Sequence, residues 1–264
     1  MTAIAEIRYG ELPAVQITAP DGARAIVTLY GAHLVSWTGA DGAERLFCSA
    51  RSALDGSRAI RGGVPVIFPQ FAERGSGMRH GFARVSTWRL APAAAVGGGA
   101  VFVLTQDDLA PALAHAWPHG FELRLTIALE ANDLSISLDV HNTGTDAFAF
   151  SSALHTYFLV DDIGSVRING VDDTTLRVDD KLDRIYRNVQ GGITLAHGAG
   201  SLALAQEGFT DAVVWNPGAA DTAALADMED DEYQRFVCIE PALIEPVTLT
   251  PGAAWRGAHR ISGG

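Results

Sequence analysis

The residues best suited to chemistry in this sequence are a set of arginines, two histidines and one glutamate, all set in apolar or glycine-rich surroundings. Segment 56–90 carries Arg58, Arg61, Arg74, Arg79, Arg84 and Arg89 against the single acid Glu73, in a chain whose formal charge is −12. Such a concentration of guanidinium groups has two readings. One is a site for a small anion, held by charge-assisted, bidentate contacts. The other is a set of surface arginines that pair with acids elsewhere. The local sequence favours the first. Arg61 precedes Gly62-Gly63, which permit a sharp turn or a close backbone approach. VPVIFP (64–69) follows; its two prolines exclude a regular helix and mark a buried, extended anchor. Arg79-His80-Gly81-Phe82-Ala83-Arg84 then sets a histidine and two arginines beside a glycine, a pattern suited to a rigidly held polar site.

Two further stretches contain groups able to move protons. SSALHTYF (151–158) places His155 in an apolar, strand-like run, where it is either a core histidine bonded to a backbone carbonyl or a functional imidazole. CIEPA (238–242) places Glu240 at the end of an apolar strand, either on the surface or in a cleft. Pro241 lacks the N–H of a central ladder, so the strand is expected to stop at Glu240. The two residues are far apart in the chain, and spacing alone does not bring them together.

The elements that must position these groups read as β-strands. Phe121, Leu123, Leu125, Ile127 and Leu129 alternate with mostly polar residues, and Leu134, Ile136, Leu138 and Val140 do so after the turn at Asn132-Asp133. That period of two predicts a hairpin of half-buried strands. Further strands are predicted at 26–30, 33–37, 101–105, 148–151, 166–169, 212–215, 236–240 and 247–249. Short helices are expected at 107–115 and 219–228, and a flexible Ala/Gly connection at 91–100. Many short strands between turns indicate an all-β sandwich or barrel, expected as a single domain over 1–264.

The bulk properties narrow the partners. A pI near 5.0 argues against sequence-independent nucleic-acid binding, which needs a basic surface. Lys181 is the only lysine, so 18 of the 19 basic residues are arginine, the side chain that best grips carboxylate and phosphate; a GC-rich genome would produce the same bias. Cys48 and Cys238 form neither a CxxC nor a zinc pattern and read as buried thiols. The paired acids, such as Asp107-Asp108 and Asp230-Asp231, lack the loop spacing of a calcium site. With no apolar run long enough for a membrane span and no leader-like N-terminus, the expectation is a cytoplasmic protein, a monomer or weak dimer, without metal or organic cofactor.

At these residues the chain resembles the aldose 1-epimerase superfamily and, within it, the hexose-6-phosphate mutarotases. The resemblance runs over most of the chain, through GAHLVSW (31–37), LDGSRAIRGGVPVIFPQF (54–71), RHGFARVSTW (79–88), ALHTYFLVDDI (153–163), FTDAVVWNP (209–217) and CIEPA (238–242). Six landmarks in order are far more specific than any one. The resemblance implies a galactose-mutarotase-like β-supersandwich of mostly antiparallel strands. It implies His155 as general acid and Glu240 as general base, with Arg61, His80, Arg84 and Asp211 lining a sugar-phosphate site. Arg79 stands where relatives often carry glutamine, a departure that either adds a phosphate contact or changes the sugar preference. The implied reaction interconverts the α and β anomers of a hexose phosphate by ring opening and reclosure. Histidine suits the acid role because its ordinary pKa is near neutrality, and a carboxylate suits the base role if partial burial raises its pKa. The alternatives are an aldose 1-epimerase acting on unphosphorylated sugars, which would have no use for the arginines, and a non-catalytic carbohydrate-binding β-sandwich, which the 8% aromatic content does not favour.

Overall fold

The computed structural model describes residues 2–92, 99–130, 132–198 and 200–263. In chain order its strands are β1 (Ala3–Tyr9), β2 (Leu12–Thr18), β3 (Arg24–Thr28), β4 (His33–Thr38), β5 (Val66–Ile67), β6 (Arg89–Leu90), β7 (Gly99–Thr105), β8 (Phe121–Glu130), β9 (Asp133–Asn142), β10 (Phe148–Leu154), β11 (Tyr157–Leu159), β12 (Arg167–Asn169), β13 (Leu182–Tyr186), β14 (Ile193–His197), β15 (Gly200–Glu207), β16 (Asp211–Asn216), β17 (Phe236–Leu249) and β18 (Ala254–Gly263). Two short helices, α1 (Pro111–Ala116) and α2 (Gly218–Ala223), interrupt them.

Three sheets result. One has the order β1-β2-β3-β4, one β13-β16-β17-β10-β5 with β11 also pairing to β17, and one β12-β14-β15-β18-β9-β8-β7-β6. All the strand pairs are antiparallel. The β8–β9 hairpin has the register its alternation predicts, with Leu125 opposite Leu138 and Ile127 opposite Ile136, all four buried. Their side chains join Phe150, Val214, Val237 and Ile239 of the six-stranded sheet in the main hydrophobic core. That sheet is covered on its other face too. Along β17, Val237, Ile239 and Leu243 enter the main core, while the alternate residues Cys238 and Ala242 join separate apolar clusters on the far side. Glu240 lies between those two on the same face, by the period of two.

β17 departs from expectation. It does not end at Glu240 but runs on through Pro241 to Leu249, absorbing the separate strand predicted at 247–249. The neighbouring ladder explains why the proline is tolerated. Ile239 donates its N–H to Thr156 O at 3.2 Å, so Pro241, two residues on, turns its nitrogen to that same edge. There the partner strand is interrupted between β10 and β11. His155 and Thr156 send their amides elsewhere, to Pro65 O at 3.0 Å and Leu154 O at 2.9 Å. The missing donor falls opposite the gap.

The helices are shorter than expected. A 3₁₀ turn over Gln106–Asp108, closed by a Thr105–Asp108 capping box, and the six-residue α1 replace the first. α2 covers only the start of the second. The β1–β2 hairpin and strands β13–β15 were not anticipated; β1 is largely exposed and β13 reads LDRIY, so neither carries a full apolar alternation. Residues 93–98 of the Ala/Gly stretch lie outside the described residues.

Gly62 and Gly63 tie two sheets together. Gly63 donates to Phe47 O at 2.7 Å, its carbonyl receives Tyr157 N–H at 2.9 Å, and Val64 N–H reaches Leu34 O at 2.9 Å. His33 Nε2 lies 2.7 Å from Gly62 O. Gly63 has φ +57°, and a Cβ there would stand 2.2 Å from Leu34 O. Gly63→Ala is therefore expected to cost roughly 3 kcal/mol of stability, from left-handed backbone strain plus displacement of β4. Urea denaturation of the purified variant checks this, and an unchanged midpoint contradicts it.

Candidate functional site

The break between β10 and β11 opens onto a cavity of about 330 Å3, within the size range of small-molecule sites. His155 and Glu240 meet on its wall, with His155 Nε2 3.4 Å from Glu240 Oε1. Glu240 is 1% exposed and His155 9%. Neither His155 Nδ1 nor Glu240 Oε2 has a hydrogen-bond partner. Buried polar atoms normally find one, so this pair is poised for groups that a ligand would bring.

The imidazole is fixed by its neighbours. Tyr157, two residues on, stacks against it with ring centres 4.9 Å apart and planes 11° from parallel. Trp215 of β16 meets it edge-on at 5.9 Å. His80 stands on another side at 5.6 Å and packs edge-on against Phe71. His80 adopts φ +63°, a strained conformation for a residue with a side chain. Ala72 N–H donates to its Nδ1 at 3.3 Å, which leaves the ring proton on Nε2. Burial, then Arg84, Arg79 and Arg61, hold the His80 pKa down to about 3. His80 is thus a neutral ring of fixed tautomer, a hydrogen-bond donor and not an acid.

Burial is deeper than the sequence suggested for the acid–base pair. It pushes His155 well below the ordinary imidazole value, aided by His80, Arg84 and Arg61. It pushes Glu240 well above the ordinary carboxyl value, with Asp183 adding to the rise. Both directions favour the uncharged forms, a neutral imidazole beside a protonated carboxyl.

Arg58, Arg61, Arg79 and Arg84 line the same cavity. Arg61 donates to Tyr157 OH at 3.2 Å and pairs with Asp227 at 3.2 Å. Arg84 donates to Arg79 O at 3.0 Å, and burial among arginines lowers its pKa. The Nε–H groups of Arg61 and Arg84 have no partner. Arg79 is exposed, 3.9 Å from Glu73.

Of the seven residues singled out in the sequence, six line this cavity. Asp211 does not. Its carboxylate receives Arg187 at 3.2 Å, Asn188 N–H at 3.1 Å and Ile244 N–H at 3.3 Å, so its acceptor positions are engaged in holding β16 and β17. Tyr157, Asp183, Asp227 and Arg58 line the cavity and were not singled out for it. Tyr157 shares the HTY stretch with His155, and Arg58 lies in the arginine-rich segment. Asp227 sits in the acidic run DMEDD (227–231), which carries no signal for one member over another.

A β-sandwich with an imidazole–carboxyl pair in an open cavity is built for acid–base chemistry on a small molecule. A family model described as aldose 1-epimerase matches residues 13–262, and the chain belongs to that family. A protein of Cenchrus ciliaris named "Putative glucose-6-phosphate 1-epimerase" is 35% identical over 263 residues, spanning 89% of this chain and 80% of its own. An Escherichia coli K12 protein of the same name is 34% identical over 258 residues, spanning 89% and 84%. A crystal structure of a mutarotase-like protein from Salmonella typhimurium superposes with a TM-score of 0.86 at 28% identity, covering 98% of this chain and 93% of that one. Galactose 1-epimerase from Lactobacillus acidophilus shares the fold at a TM-score of 0.70 and 13% identity, covering 100% and 98%. The galactose-mutarotase-like sandwich expected from the sequence is the fold observed.

The buried histidines make stability depend on pH. Burial lowers His33 and His259 from 6.5 to about 4 and His80 to about 3. Between those values and 6.5 the unfolded chain takes up three protons that the folded chain refuses. Stability is then full above 6.5 and lost as pH falls. His155, lowered, and Glu240, raised, act in opposite directions on the pH dependence. Urea denaturation is expected to show a loss of roughly 3 kcal/mol between pH 6.5 and 5.5, about 1 kcal/mol for each histidine, since the unfolded rings are only half protonated at 6.5. A flat profile over that range contradicts the burial of these rings as neutral groups.

Proposed function

We propose that this protein is a hexose-6-phosphate mutarotase, with His155 and Glu240 exchanging protons with the sugar and arginines holding the phosphate. The observation that carries the reading is the acid–base pair 3.4 Å apart in a cavity lined by four guanidinium groups. Anomer exchange needs a proton delivered to the ring oxygen O5 and one removed from the hydroxyl O1. Both oxygens sit on the same carbon, C1, so the two catalytic groups must be neighbours. A free sugar would leave Arg58 and Arg84, which have no ion pair among the described residues, without a counter-charge, whereas a phosphate dianion meets the cluster with charge-assisted hydrogen bonds.

The chemistry balances over this pair alone. The O1–H proton passes to Glu240 as His155 protonates O5. The C1–O5 bond breaks and C1 becomes an aldehyde. Rotation about C1–C2 presents the other face, and O5 then attacks C1, returning its proton to His155 while Glu240 gives one back to O1. The forward step needs imidazolium and carboxylate, the reverse of the unliganded arrangement. A bound dianion offsets the arginine charges that oppose protonation of His155, and so favours moving the shared proton from Glu240 to the imidazole. His80, a fixed neutral donor, is suited to a sugar hydroxyl. The pair takes opposite roles in ring closure, as microscopic reversibility requires.

Glu240→Gln and His155→Ala are each expected to lower kcat for glucose 6-phosphate at least ~100-fold with the fold intact. Exchange spectroscopy by NMR, with catalytic amounts of protein, reads this, and near-normal turnover in either folded variant rejects the assignment. Arg61→Ala is expected to reduce kcat/KM about 10- to 100-fold on glucose 6-phosphate but far less on glucose. Equal losses on the two sugars would remove the phosphate role and leave an epimerase of free aldoses.

A further inference from the structure

We infer that Glu232, which does not line the cavity, is a positioning residue for the phosphate grip: it holds Arg61 and the counter-ion Asp227 in fixed relation to each other. This rests on the mutarotase reading and goes beyond it, to a residue that no motif in the sequence singles out.

Glu232 opens the 3₁₀ turn Glu232–Arg235, which leads into β17, and it is buried. Its carboxylate accepts three hydrogen bonds. Oε1 takes Ala50 N–H at 2.9 Å. Oε2 takes the Ser49 hydroxyl at 2.6 Å and Glu229 N–H at 2.9 Å. Two of these donors lie on the turn at 49–52, and the third lies on the loop that carries Asp227. Among the described residues no cation pairs with this carboxylate, so these donors are what satisfy it.

Each of the two tied segments holds a different part of Arg61. The turn holds its backbone. Ser49 N–H donates to Arg61 O at 3.0 Å, and Arg61 N–H donates to Ser52 Oγ at 2.8 Å. The turn is itself closed by Ser52 N–H to Ser49 O and by Arg51 N–H to Ser49 Oγ, both at 3.1 Å. The loop holds the guanidinium, through Asp227 at 3.2 Å from Nη2. Arg51 also spans the two segments, through Met228 O at 3.5 Å and Glu229 at 3.8 Å. Both of those side chains are half-exposed, and such a surface pair contributes little. Glu232 is the buried link. It fixes the guanidinium before the phosphate arrives, so that binding need not order the side chain and its loop.

Glutamine is nearly isosteric with glutamate but cannot accept all three bonds. With its oxygen toward Ser49 and Glu229, its NH2 group faces Ala50 N–H. With the amide reversed, the NH2 group faces Glu229 N–H. Either way one end of the clasp opens, and no cavity is created.

The test measures anomerisation of glucose 6-phosphate and of glucose, by NMR exchange spectroscopy, in wild type, Glu232→Gln, Arg61→Ala and the double variant. Glu232→Gln is expected to raise KM for glucose 6-phosphate about 10-fold with kcat within about 3-fold, and to change kcat/KM on glucose less than about 3-fold. In the Arg61→Ala background the same substitution should cost less than about 3-fold on either sugar, because the group it positions is gone. A general loosening of the fold would instead lower kcat on both sugars and add to the Arg61→Ala loss. That result, or an unchanged KM, overturns the Glu232 assignment while the mutarotase reading stands. Should Glu232→Gln fail to fold, Ser49→Ala removes one of the three donors and carries the same test, with KM expected to rise about 5-fold. If wild type speeds neither exchange, or Arg61→Ala loses equally on both sugars, the sugar-phosphate reading itself falls, and this assignment with it.

Discussion

A buried imidazole and a buried carboxyl stand 3.4 Å apart, and the rest of the site is organised around which of the two carries a proton. Burial alone drives it to the carboxyl, because charge separation in a weakly polar interior is costly. Nearby guanidinium groups reinforce this by opposing a positive imidazole. The unliganded protein therefore rests in the neutral form, and an anion at the arginines is the natural means of tipping the balance.

The pair exists because of a defect in a sheet. β10 and β11 would form one strand beside β17 if they were continuous. The gap at His155–Thr156 turns the histidine out of the ladder, and the ring of Pro241 occupies the stretch of β17 that has no partner there. Two local departures from regular pairing thus coincide, and each makes the other tolerable. Gly62 and Gly63 perform a similar service one segment further out. They let the chain carrying Arg61 pass between β4 and Tyr157 at a distance no side chain would permit.

Much of the scaffold was legible in the sequence, where a one-face apolar alternation is a strong signal. The β8–β9 hairpin is the clearest case. Strands such as β1 and β13, exposed or mixed in polarity, lack that signal and depend on their partners for existence. The proline rule misplaced the end of β17 because it assumes an intact neighbour on both edges, and a sequence does not show that a neighbour is broken. Asp211 and Asp183 illustrate the same limit at the site. Both are acids in short strands, and only the assembled fold shows that one is consumed by Arg187 and backbone amides while the other is left open. The nearness of His155 and Glu240 was likewise beyond any argument from spacing.

The ion pair between Arg61 and Asp227 bears on how long a guest remains. On the proposed reading the phosphate is the same before and after anomerisation, so, apart from its effect on the proton at His155, grip on it strengthens substrate, intermediate and product alike. A cavity with four uncompensated guanidinium groups would retain each occupant for a long residence time and throttle release. A resident carboxylate already neutralising one of them moderates that hold, so that departure need not become the slowest event of the cycle.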